Sequence, residues 1–372
     1  MRLIVDARPF VGPHPGGVSR VSLELVDALA ADNPGMEIVC ATTGSRQPQL
    51  PTRLADRKNV KHVHLKIPNK IWSALSIVGA VSLFEQTEKR CGKADAFFMP
   101  NLGFVGRLPK NVPTVLLLHD LSFLIEPSWF KRKQRWWHEA VKAKELIRGV
   151  SRLLAVSETT KRDAMRLLGI KEEKISVIPI GSTISVATNP KPTTTPPRYC
   201  LALGLGDARK NTATAIEAVE LLRKENGFGD LGLVLIGCEI KENVISSLSR
   251  NLPIGRSLRF GRDDNFITYL KNPTDTELSS LYANAAAFLY PSWYEGYGLP
   301  LHEAASFGVP CIASTSGALP ETAPKGTIFA NPAKPQQWVE AMKLAFSIPQ
   351  TPQAPNPAAW RQAAAVLGKS FR

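Results

Sequence analysis

The sequence is poor in cysteine, and the five cysteines that it has are scattered along the chain. Their number is odd and their spacings do not repeat, so neither a disulfide framework nor the paired spacing of a zinc site is indicated. We therefore expect a protein of a reducing compartment, the cytoplasm. The five residues are Cys40, Cys91, Cys200, Cys238 and Cys311.

Long apolar runs are absent as well. The longest weakly polar run, Ile71 to Phe84, has 14 residues. A bilayer-spanning helix needs about 20, so this run predicts a buried or interfacial helix. The first residues, Met1 to Asp6, predict a strand rather than a signal peptide. The chain also shows neither internal repeats nor coiled-coil heptads. These absences favour a soluble globular protein.

Composition and charge describe a globular chain with a basic first half. Of 372 residues, 44% are apolar and 21% are charged, and the length favours two domains. The net charge is +14: residues 1–182 hold 28 basic and 17 acidic side chains, and residues 183–372 hold 18 and 15. The excess in the first half indicates an anionic partner (membrane lipid, lipid diphosphate or nucleic acid) or charge that serves only solubility.

Short apolar runs alternate with helical patterns in both halves of the chain. Continuous apolar strands between helices predict parallel sheets covered on both faces, hence an α/β fold with two Rossmann-like domains. The Pro-rich stretch Asn189–Pro197 marks the boundary between domains 1–182 and 183–356, and residues 357–372 contain a terminal helix. Such sheets bind ligands at the carboxyl ends of their strands. The predicted strands are Leu3–Val5, Ile38–Cys40, Ala96–Met99, Val115–Leu118, Leu153–Val156, Ile175–Ile178, Tyr199–Leu203, Leu233–Ile236, Ala286–Tyr290 and Val309–Ile312.

The segment from Pro291 to Glu303 is typical of a ligand cradle. It follows the predicted strand Ala286–Tyr290, and its Gly296 and Gly298 permit tight turns and close approach of the backbone. Pro300 then fits the first turn of a helix. A strand, a glycine loop and a helix start together direct backbone N–H groups and the positive end of a helix dipole at an anion.

Two carboxylates flank this loop, Glu295 and Glu303, with seven residues between them. Carboxylates can accept hydrogen bonds from sugar hydroxyls, and a phosphate site beside them indicates a nucleotide-sugar. One alternative is a strand-loop-helix turn with two solvated glutamates. A second is a glycoside hydrolase in which the two glutamates act as acid and base.

A basic pair follows the first predicted strand of the second half. Arg209 and Lys210 stand in Gly204–Asn211, directly before a predicted helix. The helix dipole disfavours cations at this end, so their placement favours a bound anion over a solvated basic pair. Because glycoside hydrolysis needs no diphosphate pocket, the pair argues against a hydrolase.

Two motifs follow strands of the first half. Gly16 and Gly17 open a helix, where backbone N–H groups can reach a phosphate, although the spacing G-x-G-x-x-G is not met. A flexible turn is the alternative. His119 and Asp120 directly follow the predicted strand Val115–Leu118, so we expect them at the carboxyl edge of the sheet. There they either line a pocket or serve as structural groups.

With these motifs in these places, the chain resembles the retaining glycosyltransferases of family 4, which have the GT-B fold of two Rossmann-like domains facing across a cleft. The resemblance covers nearly the whole chain and is most specific in Pro-Ser and Glu-Gly-Tyr-Gly-Leu-Pro around the first glutamate. It implies that the terminal helix crosses back to the first domain. Ala208 stands where a proline is usual, and Pro179-Ile-Gly181 stands where Pro-Asn-Gly is frequent.

The resemblance implies a role for each site residue. Glu295 faces the donor sugar, Glu303 accepts hydrogen bonds from the ribose, and His119 lines the pocket near the donor sugar. Arg209 and Lys210 neutralise the leaving diphosphate in place of a metal ion. The other donor-binding residues are Gly16 and Gly17 at the diphosphate, Gly296, Tyr297 and Gly298 at the sugar, and Leu299 and Pro300, which bring the helix start to the phosphates.

The resemblance also implies the reaction. A hexose, mannose or similar, passes with retention of configuration from a GDP- or UDP-sugar to a sugar or lipid-linked acceptor, in the synthesis of surface polysaccharide or lipopolysaccharide. No metal and no other cofactor is expected. Asp120 would hold the imidazole of His119 or face the acceptor. A sugar-nucleotide binder without activity is the alternative, against which the intact Glu295, Arg209 and His119 argue.

Aromatic and basic residues are interleaved in Trp129–Trp137 of the basic half. Such a segment binds a membrane interface or nucleic acid, or it forms a helix with one tryptophan packed inward and solvated cations. With Ile71–Phe84, Lys66 and Lys70, it predicts a surface for a lipid-linked acceptor and a protein peripheral to the inner face of the cytoplasmic membrane. Nucleic acid would explain the charge but not the glutamate loop, so no nucleic-acid partner is expected.

Overall fold

A computed structural model describes residues 1–12, 16–181, 195–237, 266–349, 351–354, 356 and 358–371. The chain divides into unit 1, Met1–Thr183 with Asn356–Arg372, and unit 2, Ile184–Pro355. The predicted boundary between residues 182 and 183 lies outside the described residues. So do most of Asn189–Pro197, residue 357 and Cys238.

Unit 1 is built on a parallel sheet of seven strands in the order β3-β2-β1-β4-β5-β6-β7. Leu3, Ile4 and Val5 of β1 are all fully buried, so both faces of this strand are covered, as its unbroken apolar run requires. The strands are β1 Arg2–Asp6, β2 Glu37–Thr43, β3 Val60–Leu65, β4 Ala96–Met99, β5 Thr114–Leu118, β6 Arg152–Ala155 and β7 Ile175–Val177.

The helices of unit 1 follow the strands in the predicted alternation. Eight of the described helices precede the linker: α1 Gly17–Asp32, α2 Thr52–Ala55, α3 Asn69–Ile77, α4 Leu83–Cys91, α5 Ser122–Ile125, α6 Arg132–Ala140, α7 Ala143–Gly149 and α8 Glu158–Leu168. Within the described ranges, no helix has the length and apolar content that crossing a membrane requires.

The prediction of one helix from Ile71 to Phe84 is wrong, because the run is divided between α3 and α4. Gly79 adopts φ +69°, a left-handed conformation that ends the first helix. Ser82 then caps the second helix, since its hydroxyl accepts a hydrogen bond from the backbone N–H of Glu85 at 3.3 Å. The apolar run therefore contains the end of α3 at Gly79 and the N-cap of α4 at Ser82.

The described residues of unit 2 repeat the architecture, with six strands in the order β10-β9-β8-β11-β12-β13, again all parallel. The strands are β8 Arg198–Leu205, β9 Leu231–Gly237, β10 Ile267–Lys271, β11 Ala287–Tyr290, β12 Cys311–Ser314 and β13 Ile328–Ala330. The described helices are α9 Thr212–Arg223, α10 Asp275–Asn284, α11 Leu299–Ser306, α12 Leu319–Thr322 and α13 Pro335–Ser347. The predicted α/β class with two parallel sheets is confirmed.

The terminal helix α14, Ala358–Lys369, belongs to unit 1 and packs against α1. Trp360 of this helix lies against Gly181. A β-carbon at that glycine would come within 2.5 Å of the indole Nε1, so the contact requires glycine. Gly181 therefore has a packing role, although its segment Pro179-Ile-Gly181 differs from the Pro-Asn-Gly that is frequent in the family.

Candidate active site

The basic pair and the glutamate loop meet at the carboxyl edge of the unit 2 sheet. Lys210 Nζ donates hydrogen bonds to Glu295 Oε1 and to the hydroxyl of Tyr290, each at 2.7 Å. The side chains of Lys210 and Glu295 are 18% and 11% exposed, so their ion pair is largely withdrawn from water. Residues singled out separately in the sequence thus form one cluster with Tyr290.

Gly204 makes room for the Lys210 side chain. Its φ of +98° is left-handed, and a β-carbon there would come within 2.1 Å of Lys210 Cγ. A 3₁₀ turn, Ala208–Lys210, follows, and the carboxylate of Asp207 caps it by accepting from Arg209 N at 3.0 Å. The glycine and the capped turn together direct Lys210 toward β11.

The same carboxylate holds the Arg209 side chain. Asp207 accepts from Arg209 Nε at 3.2 Å and from Nη2 at 2.9 Å, a two-point contact that fixes the guanidinium plane. Burial raises the pKa of Asp207, but the hydrogen bond and positive charge of Arg209 outweigh burial and leave the pKa below its usual value. Asp207 is therefore ionised at neutral pH. It fixes the guanidinium of Arg209, the residue that directly precedes Lys210.

Two glycines shape the loop that carries Glu295. Gly298 has φ +95° directly before α11, and a β-carbon there would lie 2.5 Å from Leu319 Cδ2. Gly317, after β12, has φ +61°, and a β-carbon there would lie 2.7 Å from the backbone N and O of Glu295. Ala318 N donates to Glu295 O at 2.9 Å. The segment after β12 therefore supports the Glu295 backbone directly.

The middle of the loop is fastened to α11 and α12. Tyr297 stacks on His302, with ring centroids 5.1 Å apart, and its backbone oxygen accepts a hydrogen bond from the Thr322 hydroxyl. Gly296 precedes it and is buried. α11 begins at Leu299, with Pro300 in its first turn. The predicted helix start thus lies where the sequence placed it.

The second glutamate is more deeply buried than the first. Glu303 lies on α11, is 4% exposed, and accepts a hydrogen bond from the hydroxyl of Tyr282 at 3.2 Å. Burial, with the negative charge of Glu303 as the next cause, raises the pKa of Tyr282 well above 10.0. Burial, followed by the charge of Glu295, does the same for Tyr290. Both tyrosines are therefore neutral hydrogen-bond donors at neutral pH. Contact of Glu303 with a ribose stays a prediction.

No set of three or more His, Cys, Asp or Glu side chains is arranged to hold a metal ion in the part of the chain that the structure describes.

Unit 1 carries the remaining predicted residues. Gly16 is the N-cap of α1, Gly17 is its first residue, and both are exposed. The Pro15 that precedes them lies outside the described residues. The pair therefore stands at the start of a long helix, the position that the anion-binding prediction requires.

His119 and Asp120 follow β5. The imidazole Nε2 lies 2.9 Å from the carbonyl of Pro100, so Nε2 carries the proton and donates it. Burial lowers the pKa of His119, against the opposite effects of the Pro100 hydrogen bond and the Asp120 charge, so the ring is neutral at pH 7. Asp120 Oδ1 accepts from Ser122 N at 2.9 Å and from its hydroxyl at 2.5 Å, which fastens the start of α5.

Unit 1 also contains a pocket of about 540 Å³ between α3 and the segments that follow β1 and β2. Arg8 lines it and is held by Asp6, the last residue of β1, through two hydrogen bonds of 2.7 Å. That pairing offsets the charge of Arg8. Most of the other polar lining residues carry neutral hydroxyl or amide groups. The polar lining residues are Arg8, Thr43, Ser45, Arg46, Asn69 and Ser73.

The aromatic and basic segment divides between packing and solvent. Trp137 packs edge-on against Phe104, with centroids 6.0 Å apart, as the packing alternative predicted. Trp136 is 58% exposed. The cations around it, Lys131, Arg132, Lys133 and Arg135, are all exposed.

Sequence reasoning assigned no chemical role to four residues that support the site. Asp207 and Gly317 carried a local signal, an acid two residues before Arg209 and a glycine soon after a strand. Tyr290 and Tyr282 looked like core residues. The partners that reveal their roles are 80 and 21 residues distant in sequence, so no local pattern indicates them.

Family models match both halves of the chain. The model of the glycosyl transferases group 1 matches residues 188–364, and that of Glycosyltransferase Family 4 matches residues 15–184. O-antigen chain mannosyltransferase B of Escherichia coli is 26% identical over 352 residues, which cover 89% of this chain and 87% of that protein. O-antigen chain mannosyltransferase RfbU of Salmonella typhimurium is 26% identical over 241 residues, 64% of this chain and 62% of its own.

Solved structures show the same fold at low sequence identity. Sucrose-phosphate synthase of Thermosynechococcus elongatus superposes with a TM-score of 0.66 at 16% identity, over 100% of this chain and 94% of its own. WaaG, a glycosyltransferase involved in lipopolysaccharide biosynthesis, gives a TM-score of 0.59 at 15% identity, over 98% and 93%. The expected GT-B fold is thereby confirmed. With one family model on each half of the chain and the basic pair beside the glutamate loop, this protein is a glycosyltransferase and belongs to family 4.

Proposed function

We propose that this glycosyltransferase moves mannose or a similar hexose, with retention of configuration, from a GDP- or UDP-sugar to a sugar or lipid-linked acceptor in the synthesis of surface polysaccharide. One observation carries the proposal: a cation suited to a diphosphate and a carboxylate suited to sugar hydroxyls lie 2.7 Å apart in one shielded cluster. The names of the relatives, O-antigen chain mannosyltransferases, support mannose and the O-antigen setting.

Lys210 and Arg209 would stabilise the leaving diphosphate. A lysine ammonium has three N–H donors, of which Tyr290 and Glu295 engage two, so one remains for a phosphate oxygen. Asp207, Tyr290 and Glu295 fix both cations before a substrate arrives, so little reorganisation is needed as charge develops. This supports a mechanism in which the protein's own cations, and no metal cofactor, balance the leaving group.

Glu295 and His119 would hold the donor sugar. Lys210 occupies one oxygen of Glu295, and an ionised carboxylate has further lone pairs that sugar hydroxyls can use. The neutral imidazole of His119 offers Nδ1 as an acceptor, because Nε2 donates to Pro100. Glu303 would accept hydrogen bonds from the ribose.

The proposed chemistry needs no enzyme nucleophile. The bond between the anomeric carbon and the diphosphate oxygen breaks while the acceptor oxygen bonds to the same face of that carbon. The proton of the acceptor hydroxyl passes to the departing phosphate oxygen. The charge that grows on the diphosphate is what Lys210 and Arg209 offset.

A hydrolase reading fits the two glutamates less well. Acid and base in a glycosidase must reach the glycosidic oxygen and a water molecule. Here Glu295 is engaged by Lys210, and Glu303 is 4% exposed and bonded to Tyr282. Both glutamates therefore serve positioning better than proton transfer.

The acceptor would bind to unit 1. Its pocket of about 540 Å³ has the size of a small-molecule site and a polar lining suited to sugar hydroxyls. The exposed Trp136 and the surrounding cations support a second part of the proposal, binding at an anionic membrane surface where a lipid-linked acceptor resides.

The test is a thermal-shift screen of GDP-mannose and of UDP-hexoses, followed by transfer to oligosaccharide acceptors. We expect one nucleotide-sugar to raise the unfolding midpoint, and proton NMR to show a product whose anomeric configuration equals that of the donor. Transfer should persist in EDTA. The absence of both binding and transfer would reject the proposed donor class, an inverted product would reject retention, and loss of transfer in EDTA would reject metal independence.

A further inference from the structure

Asn211 ties three strand ends of the unit 2 sheet together. It follows β8, and its amide Nδ2 donates to the carbonyl of Pro291 at 3.0 Å and to that of Pro332 at 2.8 Å. Pro291 directly follows β11, and Pro332 lies just beyond β13. Because both partners are carbonyl oxygens, only the NH₂ group can face them, which fixes the orientation of the amide.

The backbone at this position also favours asparagine. Asn211 adopts φ +50° and ψ +41°, the left-handed region that most side chains avoid and that asparagine tolerates. This residue ends the 3₁₀ turn Ala208–Lys210 and precedes α9. Glycine could match the backbone but not the amide, and aspartate could match the shape but not the two donors.

Both flanks of Lys210 are anchored to the segment that carries Glu295. On one side, the carbonyl of Arg209 accepts a hydrogen bond from Trp293 N at 2.7 Å. On the other side, Asn211 holds the carbonyl of Pro291. Lys210 therefore has little freedom to move relative to β11 and the loop after it.

We propose that Asn211 is a positioning residue, whose amide sets the distance between the Lys210 ammonium and the Glu295 carboxylate. It acts through these two residues and contacts no substrate. Its effect on turnover rests on the proposed function, whereas its effect on the ion pair does not. A displacement of about 1 Å at a reacting group costs roughly 100-fold in rate, so a small shift of this loop is sufficient.

Matched variants separate the effect of the Asn211 amide donors from the effect of its left-handed backbone conformation. Asn211→Gly keeps the left-handed conformation and removes both donors, and Asn211→Asp sets a carboxylate oxygen against two carbonyls. Thr214→Val is the control, because it removes another donor to the same Pro332 carbonyl, the Thr214 hydroxyl at 2.9 Å, and keeps both amide donors of Asn211.

We expect Asn211→Gly to lower kcat roughly 30- to 100-fold with little change in the donor KM, and Asn211→Asp to lower kcat at least as much. Thr214→Val should lose comparable stability in urea unfolding and keep the wild-type kcat. An equal loss of kcat in Thr214→Val, or an Asn211→Gly enzyme with wild-type kcat, would overturn the proposal.

A second measurement needs no substrate. A double-mutant cycle of Lys210→Met and Glu295→Gln, followed by urea unfolding, gives the coupling between the two side chains. We expect a clear coupling in the wild-type background and a loss of more than half of it in the Asn211→Gly background. Unchanged coupling would refute the positioning role. If the wild-type enzyme used no nucleotide-sugar, the proposed function would fail, and the cycle would still decide the role of Asn211.

Discussion

Lys210 and Glu295 depend on each other, because each is charged and each is mostly withdrawn from water. We expect Lys210→Met to lower kcat roughly 100- to 1000-fold, since one preorganised donor to the developing negative charge is lost. The free energy of unfolding should fall by about 2 kcal/mol, because Glu295 loses its charged hydrogen-bond partner. Initial rates at saturating donor and urea unfolding measure the two effects.

Two further variants separate stability from activity at this pair. Lys210→Met combined with Glu295→Gln removes the orphaned charge, so stability should recover while kcat stays low. Lys224→Met breaks an exposed ion pair with Glu220 of 3.3 Å and should change stability by no more than about 0.5 kcal/mol. A Lys210→Met enzyme with normal kcat would contradict the assigned role.

Gly204 and Gly206 allow a test of side-chain placement. Both have positive φ, +98° and +89°, but only a β-carbon at Gly204 would strike Lys210, while nothing lies within 4 Å at Gly206. We expect backbone strain from alanine to cost about 1 kcal/mol of stability at either position, and the loss of the Lys210–Glu295 ion pair to add to that cost at Gly204. Only Gly204→Ala should abolish transfer, since Lys210 must move away from Glu295. Similar activity in the two variants would show that the lysine tolerates displacement.

At the scale of elements, the pocket between α3 and the segments after β1 and β2 predicts how the acceptor binds. Arg46 and Ser73 line it, and neither is part of the Lys210 cluster. We expect Arg46→Ala and Ser73→Ala to raise the acceptor KM roughly tenfold each, the value of one lost hydrogen bond, and to leave hydrolysis of the donor by water unchanged. Gln49→Ala, in a neighbouring surface pocket, is the control. Equal acceptor KM values in all three variants would place the acceptor elsewhere.

Helix α11 makes stability depend on pH through His302, whose Nε2 donates to Thr322 O at 2.7 Å. Burial lowers the pKa of His302 from 6.5, and burial does the same for His62 and His119. Such a histidine binds fewer protons when folded than when unfolded. The free energy of unfolding therefore falls as the pH drops below 6.5.

We expect the thermal midpoint to fall between about pH 7.5 and about pH 5.5, and to fall less in His302→Gln. Differential scanning calorimetry measures both slopes. A carboxylate with a lowered pKa, such as Asp207, loses its contribution only at more acid pH, below 3.8, so it does not obscure this range. A midpoint that is flat or rises on acidification would contradict the expectation.

Elements whose signals are local were predictable, and those set by distant contacts were not. Gly298 and Pro300 mark a turn and a helix start within a few residues, so the glutamate loop lies where the sequence placed it. The run Ile71–Phe84 was wrongly predicted as one helix. Its apolar content suggested a continuous element, although Gly79 and Ser82 interrupt it. Tyr290 could not be assigned to the site from sequence, since only the folded sheet brings Lys210, 80 residues away, to its hydroxyl.

At the scale of the molecule, the two halves of the chain differ in charge. Unit 2 carries the cluster expected to bind the donor, and the excess of basic residues lies in residues 1–182. Within unit 1, α3 and α6 pack around one residue: the Phe104 carbonyl accepts from Trp72 Nε1 and from the Ser76 hydroxyl, and Trp137 contacts the Phe104 ring. The exposed Ile71 and Val78 of the α3 region, at 53% and 75%, and the exposed Trp136 of α6 each lie within two residues of one of these contacts in sequence.

Exposed apolar side chains with exposed cations beside them suit an anionic membrane surface, and vesicle binding tests it. We expect binding to phosphatidylglycerol vesicles that weakens as salt rises. The double reversal Lys131→Glu with Lys133→Glu should weaken binding roughly 100-fold or more, since each basic residue near such a surface contributes about 1 kcal/mol. Trp136→Ser should weaken binding at every salt concentration, because its contribution is apolar and not screened. The control, Lys325→Glu with Lys334→Glu, changes the net charge equally at exposed positions of unit 2. An equal loss of binding in the control would show that only the overall charge matters. Binding that does not change with salt concentration would exclude the proposed electrostatic surface.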